Sequence, residues 1–121
     1  MSGLSYPREL VGASLKLAEG TLLVGAPWYR VDYAEVIGHG EDDFQRAADN
    51  LFSWRAHRAA HVRVDGKPSA GEAVQLHFGP TVSPCRIISV ERSRHRAMLV
   101  YGTMHGHIEC GEEAFIVELS K

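Results

Sequence analysis

From residue 61 to the end of the chain, apolar and polar positions alternate in short runs separated by turn residues, a two-residue period that predicts β-strands. The runs fall near 61–65, 72–78, 85–92, 96–104 and 112–119. Asp65, Gly66, Lys67 and Pro68 supply one turn and Gly79 with Pro80 another; the charged stretch from Glu91 to Arg96 suits an exposed hairpin, and Gly106 to Gly111 a longer bend. Consecutive strands without crossover helices predict an antiparallel meander. Before them the period is helical. Glu41, Asp42 and Asp43 are followed by Phe44, Ala47, Ala48, Leu51 and Phe52, with Arg55, His57 and Arg58 in the last turns. Acids at the start and cations at the end match the helix dipole, which predicts one helix near residues 41–58 whose apolar stripe needs a sheet to lie on. Tyr29 to Ile37 alternates and predicts a strand before the helix, while residues 1–28 read as a loop-rich entry with at most one short strand. The order places the chain in the α+β class, a curved antiparallel sheet packed against one main helix, as a single domain over 1–121.

Composition narrows the function classes. The chain has 121 residues, 45% of them hydrophobic and 23% charged, which is enough to bury a core in one domain. Thirteen Lys and Arg against 15 Asp and Glu leave a net charge of −2, and that argues against a general nucleic-acid binder. Its apolar runs are too short for a signal peptide or a membrane span, and Cys85 and Cys110 are read as free thiols, so a cytoplasmic protein is expected.

Several runs resemble one family. They are Tyr6 to Gly12; Gly40, Glu41 and Phe44; Ser53, Trp54, Arg55, His57 and Arg58; and the stretch Tyr101, Gly102, Thr103, Gly106, His107, Glu109, Gly111, Glu112, Glu113, Ala114, Phe115. The family is uncharacterised protein family 0548. Met104, His105 and Ile108 depart from its pattern, which has leucine and two prolines there. The resemblance implies a helix-grip, START-like fold, in which a curved sheet wraps a helix around an apolar cavity. It also implies a further strand and a long basic terminal helix, whereas this chain stops at Lys121, leaving the sheet open or covered by another chain. It transfers no reaction.

Four groups of residues are candidates for chemistry. His105, His107, Glu109 and Cys110 are metal-ligating types at alternating positions, but the flanking glycines favour an ordinary bend, and no metal or cofactor is expected. His107, Glu112, Glu113 and Tyr101 are acid–base candidates at a cavity mouth; adjacent strand residues face opposite sides, so only one glutamate enters, and a structural role in the bend weighs against catalysis. Trp54, Arg55 and Arg58 can hold an anion at the helix end, set against the simpler reading of cations at a helix C-terminus. Arg92, Arg94, His95 and Arg96 read as a solvated hairpin tip.

The sequence therefore points first to a protein that binds an apolar or amphipathic small molecule between sheet and helix. Tyr101, Thr103, His107, Glu112, Trp54, Arg55 and Arg58 are the expected ligand contacts, with Phe44, Leu51, Val74, Leu76, Ile87, Leu99, Tyr101 and Phe115 as the wall. A small proton-transfer enzyme (a cyclase, isomerase or hydrolase) using His107 and Glu112 or Glu113, and an oligomerising interaction module, remain open beside it.

Overall fold

The computed structural model describes residues 3–18, 31, 33–106 and 110–120. Its centre is an open, curled five-stranded antiparallel sheet in the order β1-β2-β3-β4-β5, with β1 Arg63–Asp65, β2 Ala73–Phe78, β3 Thr81–Arg92, β4 Arg96–Thr103 and β5 Glu112–Glu118. The α+β architecture and the meander match the alternation in the sequence. β3 begins earlier than the sequence pattern suggests because Pro84 is tolerated inside it. The Pro84 carbonyl accepts the Met104 amide at 3.0 Å, so its nitrogen faces the same side, where β4 has ended and little of the ladder remains to be broken. A register shift between Ile87 and Ser89 marks a bulge in β3 that adds twist.

Three helices follow in chain order: α1 Ala13–Ala18, α2 Gly40–Phe52 and α3 Arg55–Ala59, with a 3-10 turn at Arg8–Leu10 before α1. The sequence predicts one helix over 41–58; the structure breaks it at Trp54, which adopts a left-handed conformation with φ 64°. A left-handed tryptophan is strained by about 1–3 kcal/mol. Burial of the indole and a 2.9 Å bond from its Nε1–H to the Gly66 carbonyl offset that strain. The start of α2 follows sequence logic: Glu41, Asp42 and Asp43 occupy its first turn, and the His39 amide donates to Asp43 Oδ2 at 2.9 Å.

Two expectations about the N-terminal third change. The strand expected over Tyr29 to Ile37 does not form in its described part, where residues 33–37 have no regular structure and Tyr33, Val36 and Ile37 are exposed; alternation alone does not make a strand without an edge to pair with. Residues 13–18, expected to be irregular, are helical.

Residues paired across strands share a face. The α2–α3 face carries Val64, Val74, Cys85, Ile87, Val90, Ala97, Leu99, Tyr101, Phe115 and Val117, and these pack with Phe44, Ala48, Leu51 and Trp54 into one core. The opposite face carries Met98, Val100, Gly102, Glu112 and Ala114, and the N-terminal segment crosses it near Gly102.

Candidate functional site

The two faces hold different polar centres. On the N-terminal face, β5 presents Glu112 beside Gly102 of β4. Both carboxylate oxygens are taken by the chain's own N-terminal segment. Oε2 accepts the Tyr6 hydroxyl at 2.5 Å and the Gly12 amide at 2.9 Å; Oε1 accepts the Ser14 amide at 3.0 Å and the Ser14 hydroxyl at 2.5 Å. The amides belong to the start of α1, where the first N–H groups of a helix lack internal partners and the dipole favours an anion. Tyr6 lies over Gly102, where any β-carbon would collide with its ring, and burial, then the bond to Glu112, pushes the phenol well above its ordinary pKa. Thr103 secures the same segment. Its hydroxyl lies 2.6 Å from that of Ser5 and accepts the Gly111 amide at 2.9 Å, while its carbonyl accepts the Ser5 amide at 2.8 Å. Cys110, an exposed free thiol, donates to the Ser5 carbonyl at 3.2 Å.

On the helix-covered face the polar centre is His57, only 7% exposed, which the break at Trp54 turns onto the sheet. Aromatic rings surround it: Trp54 edge-on at 5.0 Å between centroids, Phe115 at 4.8 Å and Tyr101 at 5.8 Å. Its Nε2 lies 3.2 Å from the Tyr101 hydroxyl, and its Nδ1 is buried with no hydrogen-bond partner among the described residues. Desolvation lowers the imidazole's pKa, so the ring is neutral at neutral pH and one nitrogen donates while the other accepts. A buried nitrogen without a partner is uncommon and calls for an explanation.

The expected site residues divide between these centres. Glu112 and Thr103 hold the N-terminal segment, and Glu112 has all its near acceptor directions filled by internal donors. Glu113 pairs with Tyr101 and Glu112 with Gly102, so the two glutamates face opposite sides and Glu113 is exposed at the edge strand. His107 lies outside the described residues, as does Glu109 of the candidate metal group. Among the described residues no three His, Cys, Asp or Glu side chains come together around a metal position. Trp54 and Tyr101 do meet, through His57; Arg55 and Arg58 stay on the exposed side of α3. The residues expected to line a cavity pack into the core: Phe44, Leu51, Val74, Ile87, Leu99 and Tyr101 are all at most 4% exposed, with Leu76 and Phe115 packed against them. The arginines of the β3–β4 hairpin fold back onto acids of α2, Arg92 to Asp49 at 2.7 Å and Arg94 to Glu41 at 3.4 Å.

Sequence reasoning missed Tyr6 and the placement of His57. Tyr6 and its partner are 106 positions apart, and nothing local announces the pair. His57 left a signal, since Leu51, Trp54 and His57 recur every three residues and extend the apolar side of the helix.

Among the described residues no helix is long and apolar enough to cross a membrane. No curated protein and no solved structure matches the chain significantly. Over residues 11–121 it matches the family described as Domain of unknown function (DUF1990), and with that span of agreement the chain belongs to this family.

Proposed function

We propose that the protein binds an amphipathic small molecule on the helix-covered face of the sheet, with the molecule's single polar group held by His57 and Tyr101. The observation that carries this reading is the unpartnered Nδ1 of His57, set in a ring of Trp54, Tyr101 and Phe115. An apolar site with one placed polar group is the usual form of a small-molecule pocket. A hydroxyl on the ligand satisfies Nδ1 in either tautomer, because it both donates and accepts; a carbonyl serves only when Nδ1 carries the proton. Since the surrounding side chains are packed together, entry requires α3 to shift away from the sheet, and the short five-residue helix after a strained junction is the element suited to do so. In this reading the resemblance to uncharacterised protein family 0548 and to helix-grip, START-like proteins extends to their ligand-holding architecture, in a cytoplasmic protein. Glu112 then anchors the N-terminal segment and takes no part in proton transfer.

A titration with a medium-chain alcohol such as 1-decanol tests this. Trp54 fluorescence should change saturably and the His57 ring nitrogens should shift in NMR spectra. The His57→Leu variant should lose the fluorescence response while keeping its circular dichroism. A decanol response unchanged in that variant, or none in the wild type, sinks the reading.

A further inference from the structure

A second surface lies at one end of the sheet, away from the His57 cluster. The β2–β3 hairpin turns at Gly79 and Pro80, and on either side of the turn Phe78 is 60% and Val82 51% exposed. They belong to opposite faces of the sheet, so the hairpin tip presents an apolar residue on each side. An isolated exposed hydrophobe needs no explanation; a pair at a protruding turn, with cations beside it, does.

That border is basic. β1 runs antiparallel to β2 with Arg63 opposite His77, which places the start of β1 and the end of α3 beside the hairpin tip. Arg58, in the last turn of α3, is exposed, and among the described residues it has no ion-pair partner. His61 follows, exposed, with its amide on the Arg58 carbonyl at 2.9 Å, and the Arg63 side chain is 65% exposed. The acid of this end is Asp65, which lies 2.8 Å from His77 Nε2 and 3.6 Å from the Arg63 guanidinium. By contrast, Arg92, Arg94 and Arg46 sit on acids of α2. A chain of net charge −2 thus places Arg58, His61 and Arg63 beside the hairpin tip where it also exposes Phe78 and Val82.

We infer that this end of the molecule docks on an anionic phospholipid surface, with Phe78 and Val82 entering the headgroup layer and Arg58 and Arg63 facing lipid phosphates. Apolar side chains at a turn gain by leaving water, and each nearby cation adds attraction to a negative leaflet. Arginine suits the role because its guanidinium pairs with phosphate through two parallel N–H donors. The inference does not depend on the His57 site, since it concerns where the protein resides and not what it holds inside.

The test is co-sedimentation of the full chain with vesicles of phosphatidylcholine alone and of phosphatidylcholine with phosphatidylglycerol. Binding should appear only with the anionic lipid and fall as salt rises. Arg58→Gln with Arg63→Gln should weaken partitioning by about 25-fold, roughly fivefold for each charge removed. Phe78→Ser with Val82→Ser should weaken it by roughly tenfold. These positions are exposed, so both variants should unfold at the wild-type temperature, which separates lost docking from lost folding. Absence of binding to anionic vesicles overturns the inference. So does binding that ignores Phe78 and Val82, which is charge adsorption only, or capture by a soluble polyanion such as heparin with none by vesicles.

Discussion

The two faces of the sheet treat their polar groups in opposite ways. On the N-terminal face Glu112 receives four donors, and every one comes from within 14 residues of the chain start. On the helix-covered face the His57 ring makes one hydrogen bond among the described residues, at 3.2 Å, and keeps a buried nitrogen with none. A saturated carboxylate has nothing left to offer a ligand or a transferred proton; its energy is bound up in holding a segment in place. An unsatisfied imidazole in an aromatic surround is held at a cost that a ligand can relieve. The difference sets a centre whose donors are all matched against one with a donor or acceptor to spare, and the first would be misread if residue type alone were the guide.

The sharpest way to break the comparison is to remove the carboxylate. Glu112→Ala strips the acceptor from two amides and two hydroxyls, and because these are partly buried the loss should be about 4 kcal/mol, or a melting temperature lower by roughly 15 °C. Glu112→Gln keeps one acceptor oxygen and should cost about half as much, since the other position becomes a donor facing donors. Urea denaturation measures both. Amide exchange should also accelerate over residues 5–14, while Leu99 and Ile87 in the core stay protected. If His57 ring resonances moved as much as those of Tyr6, the two faces would not be independent.

Gly102→Ala sharpens the same contrast by a smaller step. A β-carbon at Gly102 meets the Tyr6 ring, which Glu112 fixes at its hydroxyl, so the ring cannot simply slide away. Overpacking of this kind costs about 2 kcal/mol. The same substitution leaves the other face untouched, since Gly102 projects away from Leu99 and Tyr101. Pairing it with Tyr6→Leu should recover part of the loss in a double-mutant cycle, because the clash then has a smaller, unanchored partner.

How much of this was legible follows from the range over which each feature is decided. The five strands and their antiparallel order are written in local alternation and turn residues, and Asp65–Pro68 and Gly79–Pro80 mark two of the boundaries. The first thirteen residues of the main helix are equally local, set by Glu41 to Asp43 at one end and the Phe44, Ala48, Leu51 stripe along it. Its break is not. Trp54 takes a left-handed conformation because its indole finds the Gly66 carbonyl, twelve residues away in sequence and known only once β1 and β2 are paired. The same holds for α1, six residues whose first turn is completed by a carboxylate from the far end of the chain. Glu112 was named from the sequence as a polar group near the bend, but its role depended on Tyr6 and Ser14, which carry no local sign of it.

Titration separates the faces again, with effects of opposite sense. Tyr6 has its pKa raised by burial and by the Glu112 bond, so the native state holds the phenol neutral more strongly than the unfolded state does. The stability this provides is complete below the ordinary tyrosine pKa, near 10, and is lost as pH rises through the alkaline range. Urea melts at increasing pH above 10 should show that decline, and Tyr6→Phe should flatten it. Tyr6→Phe lowers stability at neutral pH as well, by about 1 kcal/mol for the lost hydrogen bond, and leaves the acid limb of the profile unchanged.

His57 acts on that acid limb, with the smallest expected effect. Its pKa is lowered by burial, so the native state binds its proton less readily than the unfolded state, whose imidazole titrates near 6.5. The contribution is therefore complete above pH 6.5 and is lost as pH falls from there through the lower native pKa, because protonation draws the chain toward the unfolded state. His57→Phe removes this dependence and fills the aromatic ring of Trp54, Tyr101 and Phe115 with an apolar group that needs no partner. At neutral pH such a variant should be as stable as the wild type or slightly more so, since it exchanges one weak bond to Tyr101 for the removal of an unsatisfied nitrogen. A natural sequence that keeps a histidine where phenylalanine folds as well is spending stability on something other than the fold. A His57→Phe variant that instead unfolds by several kcal/mol would show the histidine to be a structural post like Glu112, and the contrast between the faces would fail at the residue on which it depends.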